Sequence, residues 1–200
     1  FGFDLIKMKK KYIMPVRISY REILPNFTIR LLGTWALDKK DLVNHKKVDI
    51  VDYCYDDYEI LLQDFIYTKE LYNKLLPIIG RLLNNHHSVD WESRSFKVLY
   101  GMWLKDYLPV LRERYQTIDS AIEKYPTHYF ILNNNNVHIN SSQDFRNKIT
   151  EDQFNHCLYT KIVKFISPEI YQGSYFLDNK IEGIKKNSFF FKSVKVQSRN

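Results

Sequence analysis

The sequence predicts an α/β domain built on a largely parallel sheet. Three observations carry that reading. Short runs rich in β-branched and aromatic residues alternate with segments of helical period. The strongest of those segments keeps its apolar repeat without interruption. Finally, 200 residues with 44% apolar and 16% aromatic content suffice for one packed domain, or for one domain with a tail.

Taken in order, "FTIRLLGTWAL" reads as a buried strand from Thr28 to Leu32 that ends at Gly33. "KVDIVDYC" is a second strand, with Val48, Ile50 and Val51 as its β-branched residues. One or two helical turns fit in the "LDKKDLVNHKK" between them. After an acidic stretch, Leu61, Phe65, Thr68, Tyr72, Leu75, Ile79 and Leu82 recur at spacings of 4-3-4-3-4-3. This is the apolar stripe of a long helix. Pro77 lies inside it and predicts a kink or break near Leu75. A second helical region runs from about Trp91 to Lys124, with Phe96, Leu99, Trp103, Tyr107, Val110 and Leu111 on one face and a further kink at Pro109. "PTHYFIL" (126–132) is a third strand, closed by the loop "NNNN". The last helix starts near Glu151 with Thr150 and Gln153 as a capping box, and Phe154, Leu158, Ile162 and Phe165 line its buried face. Residues 1–27 then form an N-terminal extension, and 28–167 the domain, with a helical insertion over about 58–124. Residues 168–200 form a tail.

The net charge is +7, yet no block of five basic residues occurs, and the densest cluster is Lys7, Lys9, Lys10 and Lys11. The charge therefore reads mainly as solvated surface with a share available for anionic ligands, and nucleic acid is not an expected partner. Cys54 and Cys157 lack metal-ligand spacing and suit a reducing compartment. No apolar run reaches the ~18–20 residues that span a bilayer, and the N-terminus has no signal-peptide pattern. A cytoplasmic location follows as an expectation.

Candidate chemistry concentrates at "VDIVDYCYDDYEILLQDF" (48–65), which carries Asp49, Asp52, Asp56, Asp57, Glu59 and Asp64. Asp56 and Glu59 have the spacing of a helix N-cap and its N3 partner, and Asp57 would meet the positive end of the helix dipole. Asp64 lies two turns further on and reads as unconnected. In open α/β sheets ligands bind beyond the carboxyl ends of the strands, so Asp52, Asp56 and Asp57 also qualify as a cleft edge. Gly33, Thr34 and Trp35 follow a strand as a nucleotide-binding turn would, without the further glycines of a dinucleotide fingerprint. Asn155 and His156 open the last helix, where a neutral histidine can serve as donor or base. His86 and His87 have no nearby cysteine and make a poor metal site. No metal and no cofactor is expected, and no G-x-S-x-G, H-E-x-x-H or C-x-x-C pattern occurs.

Several of these segments, in this order, resemble a known family. The Leu-Gly-x-Trp strand end (Leu32–Trp35), the Tyr-x-x-Asp-Asp helix start (Tyr53–Asp57), the long Leu/Tyr-rich helix, the Gly-x-Trp-Leu helix (Gly101–Leu104) and the Asn-His-x-x-Tyr helix (Asn155–Tyr159) are similar to the N-terminal half of transferases encoded in bacterial surface-polysaccharide and O-antigen clusters. The resemblance covers roughly residues 28–166. It implies a Rossmann-like half of a two-domain, GT-B-type glycosyltransferase with long inserted kinked helices. In such enzymes the C-terminal half holds the nucleotide-activated sugar and the N-terminal half shapes the glycan acceptor site. The chain is thus expected to supply the acceptor side, with the donor half missing from it and a possible peripheral contact with the inner membrane face. By their place at strand ends and helix starts, His156, Asp56 and Asp57 are the candidate catalytic residues. Gly33, Thr34, Trp35 and Asn155 are the candidate substrate contacts by the same reading. The rival reading is a non-catalytic basic module for a protein partner or an anionic membrane surface.

Overall fold

A computed structural model describes residues 10–17, 28–37 and 49–177. Five strands, β1 (Lys11–Met14), β2 (Thr28–Leu31), β3 (Asp49–Ile50), β4 (Tyr129–Asn133) and β5 (Tyr175–Leu177), form one sheet in the order β3-β2-β1-β4-β5. Every pairing is parallel, with Tyr12 opposite both Ile29 and Tyr129, Arg30 opposite Asp49, and Ile131 opposite Tyr175. This is the Rossmann-like strand order, whose direction reverses between β1 and β4. Its α/β class agrees with the sequence expectation.

Parallel sheets need cover on both faces, and both faces here are buried. On one face Ile13, Leu32, Phe130 and Leu132 pack against Ile118, Ala121, Tyr159, Ile162 and Val163. These partners come from α3 (Gly101–Lys124) and α5 (Asp152–Ile166). On the other face Tyr12, Met14, Leu31 and Ile131 form a second cluster with Trp35 and Tyr129 at its margin.

β1 is the central strand, so the segment read as an N-terminal extension contains the middle of the sheet. Its signal is only the short run "YIM" beside a lysine cluster, too brief for pattern to announce. The supposed tail likewise opens with α6 (Pro168–Gly173) and β5. The helical turns expected within 38–47 and the ambiguous late strand near 185–196 lie outside the described residues.

α1 (Tyr58–His87) runs through Pro77, and α3 runs through Pro109. Neither proline ends its helix, so the break allowed for near Leu75 does not occur. Both prolines sit on exposed positions, where water can take the carbonyl each leaves without a donor. The break falls instead at Tyr100, which separates α2 (Ser93–Leu99) from α3. α1 packs on α2 and α3 rather than on the sheet. Gly80 allows the close contact, since a Cβ there would stand 2.8 Å from Cδ2 of Phe96. Because only one side of α1 is covered, much of its predicted stripe faces outward, including Phe65 and Leu82.

Local caps also differ from expectation. Asp57, not Asp56, is the N-cap of α1, and its carboxylate accepts from the Glu59 amide at 2.9 Å. Thr150 does not cap α5; its hydroxyl donates to the Asn147 carbonyl at 2.9 Å, at the end of α4 (Ser142–Lys148). Phe154 and Ile162 are buried as predicted on α5, whereas Phe165 is exposed.

Candidate functional site

The carboxyl ends of β1, β2 and β3 open into a cleft of about 740 Å³. Its floor begins at Val16 and Arg17, just past β1. Beyond β2, Gly33 leads into a 3-10 turn over Thr34–Ala36. A Cβ at Gly33 would overlap the Trp35 ring, so glycine is what lets the indole fold back over the strand end. The Trp35 Nε1–H donates to the Pro15 carbonyl at 2.9 Å, which ties the β2 turn to the end of β1.

Beyond β3 the acidic stretch supplies Asp52, Tyr53 and Asp56 to the same cleft. Tyr53 meets Trp35 edge-on at 5.6 Å between ring centroids, giving the cleft an aromatic corner. Two ties hold this stretch against α3. The Tyr53 hydroxyl donates to Glu113 Oε1 at 3.0 Å. Tyr55 donates to Asp64 Oδ2 at 2.5 Å, while Arg112 donates twice to Asp64 Oδ1, at 3.0 and 2.8 Å. Asp64 is therefore buried and joined to the stretch, contrary to the expectation that it stood apart. Nearly two turns of α1 plus the bend over Cys54–Asp56 bring its carboxylate within reach of the Tyr55 hydroxyl.

The opposite wall comes from α3 and the start of α5. Arg114 pairs with Glu113 and donates from Nε to Asn155 Oδ1 at 3.0 Å. Asn155 is fixed in turn, since its amide donates to the carbonyls of Ile149 and Glu151 at 2.9 and 3.0 Å. Arg114 also lies over the Tyr159 ring. Across the cleft mouth Arg17 faces Asp152 at 3.9 Å, and Asp52 pairs with Lys124.

Electrostatics follow from this packing. Burial pushes the Tyr159 hydroxyl up to about 12, with the Arg114 charge opposing it. Burial also raises Tyr53 and the Cys54 thiol, so both stay protonated near neutrality. For Asp64 burial acts upward, but the hydrogen bonds and charge of Arg112 and the Tyr55 hydroxyl outweigh it and leave the carboxyl below its ordinary range. Arg112 is correspondingly raised: burial acts downward and Asp64 overcomes it.

Of the residues expected from sequence, Gly33, Thr34, Trp35, Asp56 and Asn155 line this one cleft. Asp57 is spent as the α1 cap. His156 turns a helical step away from Asn155 toward the sheet, where Nε2 lies 2.9 Å from the Ile131 carbonyl and the ring is buried. Burial holds it below the usual imidazole range, so it is neutral at pH 7. Tyr53, which opens the Tyr-x-x-Asp-Asp motif, also lines the cleft, as do Glu113, Arg114 and Arg17, which have no local sequence signature; 60 residues separate Tyr53 from its partner Glu113.

A cleft with carboxylates, a fixed guanidinium and an aromatic corner can bind a polyhydroxylated ligand. The carboxylates accept hydroxyl protons, the guanidinium donates, and the rings cover an apolar sugar face. Among the described residues no group of three or more His, Cys, Asp or Glu is placed to hold a metal ion. Nor is any helix there long and apolar enough to cross a membrane.

Comparison with known proteins gives one result. A sequence model described as LIC12162 family transferase matches residues 19–200. No curated protein and no solved structure gives a match. The family match spans the strand-end turns, the acidic stretch and the α3 and α5 walls of the cleft alike. The chain belongs to the LIC12162 family of transferases.

Proposed function

We propose that this transferase chain is the acceptor-side half of a glycosyltransferase of the two-domain GT-B type, acting in bacterial surface-polysaccharide or O-antigen synthesis at the cytoplasmic side. The observation that carries the reading is the cleft at the carboxyl ends of β1–β3, with Trp35, Tyr53, Asp56, Glu113 and Arg114 on its walls. Its position beyond the strand ends suits a ligand site in a Rossmann-like sheet. Its mixed polar and aromatic lining suits sugar hydroxyls better than a bare phosphate.

In the proposed reaction an acceptor hydroxyl oxygen bonds to the anomeric carbon of a nucleotide-activated sugar. The bond from that carbon to the phosphate oxygen breaks, and the nucleoside diphosphate departs with the electron pair. Asp56, an exposed carboxylate of the cleft, takes the hydroxyl proton. Arg114, held by Glu113 and Asn155, orients the acceptor rather than exchanging protons. The donor is held mainly by a second α/β half, which also stabilises the leaving phosphates.

Calorimetric titration of the chain tests this division. Surface-type oligosaccharides are expected to bind saturably, and Arg114→Ala is expected to weaken them about tenfold through loss of a charged hydrogen bond. Nucleotide sugars should show no binding at millimolar or tighter affinity. Tight nucleotide-sugar binding with no glycan binding would overturn the assignment.

A further inference from the structure

Tyrosines 53, 55 and 159 lie in or beside the cleft, and their hydroxyls have different fates. Tyr53 donates to Glu113 and Tyr55 to Asp64, so both phenols are spent on holding the acidic stretch in place. Tyr159 is different. It is 1% exposed and belongs to the core cluster with Phe130 and Val163, yet it lines the cleft. Its hydroxyl makes no hydrogen bond among the described residues. The other buried polar side chains of α3 and α5 all have a partner: Thr117 donates to the Glu113 carbonyl, Thr160 to that of His156, and His156 meets Ile131. Nor is the Tyr159 oxygen sealed off. Among the described residues, the side-chain atoms cut off from both partner and solvent are Arg30 Nε and His128 Nδ1, beside the starts of β3 and β4. The Tyr159 hydroxyl therefore opens onto the cleft. Arg114 lies over its ring, with the guanidinium carbon 5.8 Å from the centroid. Arg114 spends Nη1 on Glu113 and Nε on Asn155, which leaves Nη2 open among the described residues. Two open donors adjoin there.

We infer that Tyr159 is a specificity-determining residue of this transferase: its hydroxyl donates to one hydroxyl oxygen of the acceptor sugar, beside the Arg114 guanidinium that orients the same ligand. This role rests on the glycan reading of the cleft and names the atom that chooses among glycans. A buried phenol without an acceptor costs stability, and phenylalanine would fill the same space without that cost. The hydroxyl is accounted for when a ligand supplies the missing acceptor. A sugar hydroxyl suits it, since its oxygen has two lone pairs to offer. Burial keeps the phenol protonated at neutral pH, so it stands ready as a donor. An anionic ligand suits the cleft less well, because Asp52, Asp56, Glu113 and Asp152 line the same walls as Arg17 and Arg114. A sugar deoxygenated at the position that Tyr159 reads would leave the donor unpaired and dry. Loss of such a hydroxyl is what a hydrogen-bonding site rejects most strongly.

Tyr159→Phe tests this, since it removes one oxygen and keeps the ring beneath Arg114. The urea midpoint of the free full chain is measured first and is expected to be unchanged or raised. Calorimetry then follows binding of O-antigen oligosaccharides released by mild acid, and of the methyl glycosides of glucose, galactose and mannose. The variant is expected to bind these about tenfold more weakly than the wild type. For the methyl glycoside bound most tightly, one monodeoxy derivative should bind the wild type about tenfold more weakly than its parent. That derivative should bind the variant no worse than the wild type, because the hydroxyl and the phenol act as one pair. A midpoint lowered by about 0.5 M urea or more would reveal a structural partner for the phenol and overturn the inference whatever the ligands do. Unchanged glycan affinity in the variant, or an equal loss for every deoxy derivative, would overturn it and leave the glycan reading standing. If the wild-type chain binds none of these glycans, the glycan reading falls and the role of Tyr159 falls with it.

Discussion

Asp64→Ala is the most informative single substitution in the fold. The carboxylate is 7% exposed and accepts from Tyr55 and, twice, from Arg112. Removing it strands a guanidinium and a phenol hydroxyl against α1. Breaking a fully buried ion pair costs about 3–5 kcal/mol. The Arg112 side chain keeps 24% of its surface in water, so the lower end applies, about 3 kcal/mol. In urea, with a slope near 2–3 kcal/mol/M, the midpoint should fall by about 1–1.5 M at unchanged slope. The sign with pH is fixed as well. Folding lowers the Asp64 pKa, so its stabilisation is full above about pH 4, the unfolded value. It is lost as pH falls through the lower folded value, and the wild-type and Ala curves converge there. Asp64→Leu with Arg112→Met should recover most of the loss, since matched apolar residues replace a buried pair at little cost. A loss below about 0.5 kcal/mol, typical of an exposed pair, would refute the claim that this tie holds the acidic stretch in place.

Other consequences are simpler to read. His156 has its pKa depressed by burial, so its contribution is full above the unfolded value of about 6.5 and falls away as pH drops below it. Its ring signals should titrate below that value by NMR, and an ordinary midpoint would contradict the buried placement. Gly33→Ala should displace the Trp35 indole, detected as a fluorescence red shift and the loss of its protected Nε1–H; an unchanged spectrum would contradict the close approach. Cys157, 5% exposed, should resist thiol reagents in the native state, while Cys54, half-buried with a raised pKa, should react only slowly; rapid native labelling of either would contradict the packing.

Much of the fold could be read from the chain because its elements carry local signals. The β2 strand, the strand before the Asn run and the long helix after the acidic stretch all appear close to where the patterns put them. What escaped is long-range. β1 is four residues long and takes its place from pairing with β2 and β4, which no local pattern records. The period of α1 states that it is amphipathic but not how much of its stripe α2 and α3 will cover. At the site, turn residues such as Gly33 and Trp35 were legible because strand ends are marked by glycine. Glu113 and Arg114 sit mid-helix among other charges and gain meaning only when Tyr53 and Asn155 arrive from distant segments. His156 and Asn155 adjoin in sequence, yet a helix turns about 100° per residue, so one faces the cleft and the other the sheet.

The claim that this cleft receives a glycan is tested most directly at its aromatic corner. The chain has three tryptophans, and only Trp35 lines the cleft; Trp91 and Trp103 lie on the helical layer. In a glycan titration followed by NMR of the indole N–H groups, the Trp35 signal is expected to shift saturably while Trp91 and Trp103 stay in place. Arg114→Ala should weaken that shift about tenfold. A saturable shift confined to Trp91 or Trp103, or one produced at Trp35 by nucleotide sugars and not by glycans, would contradict the account.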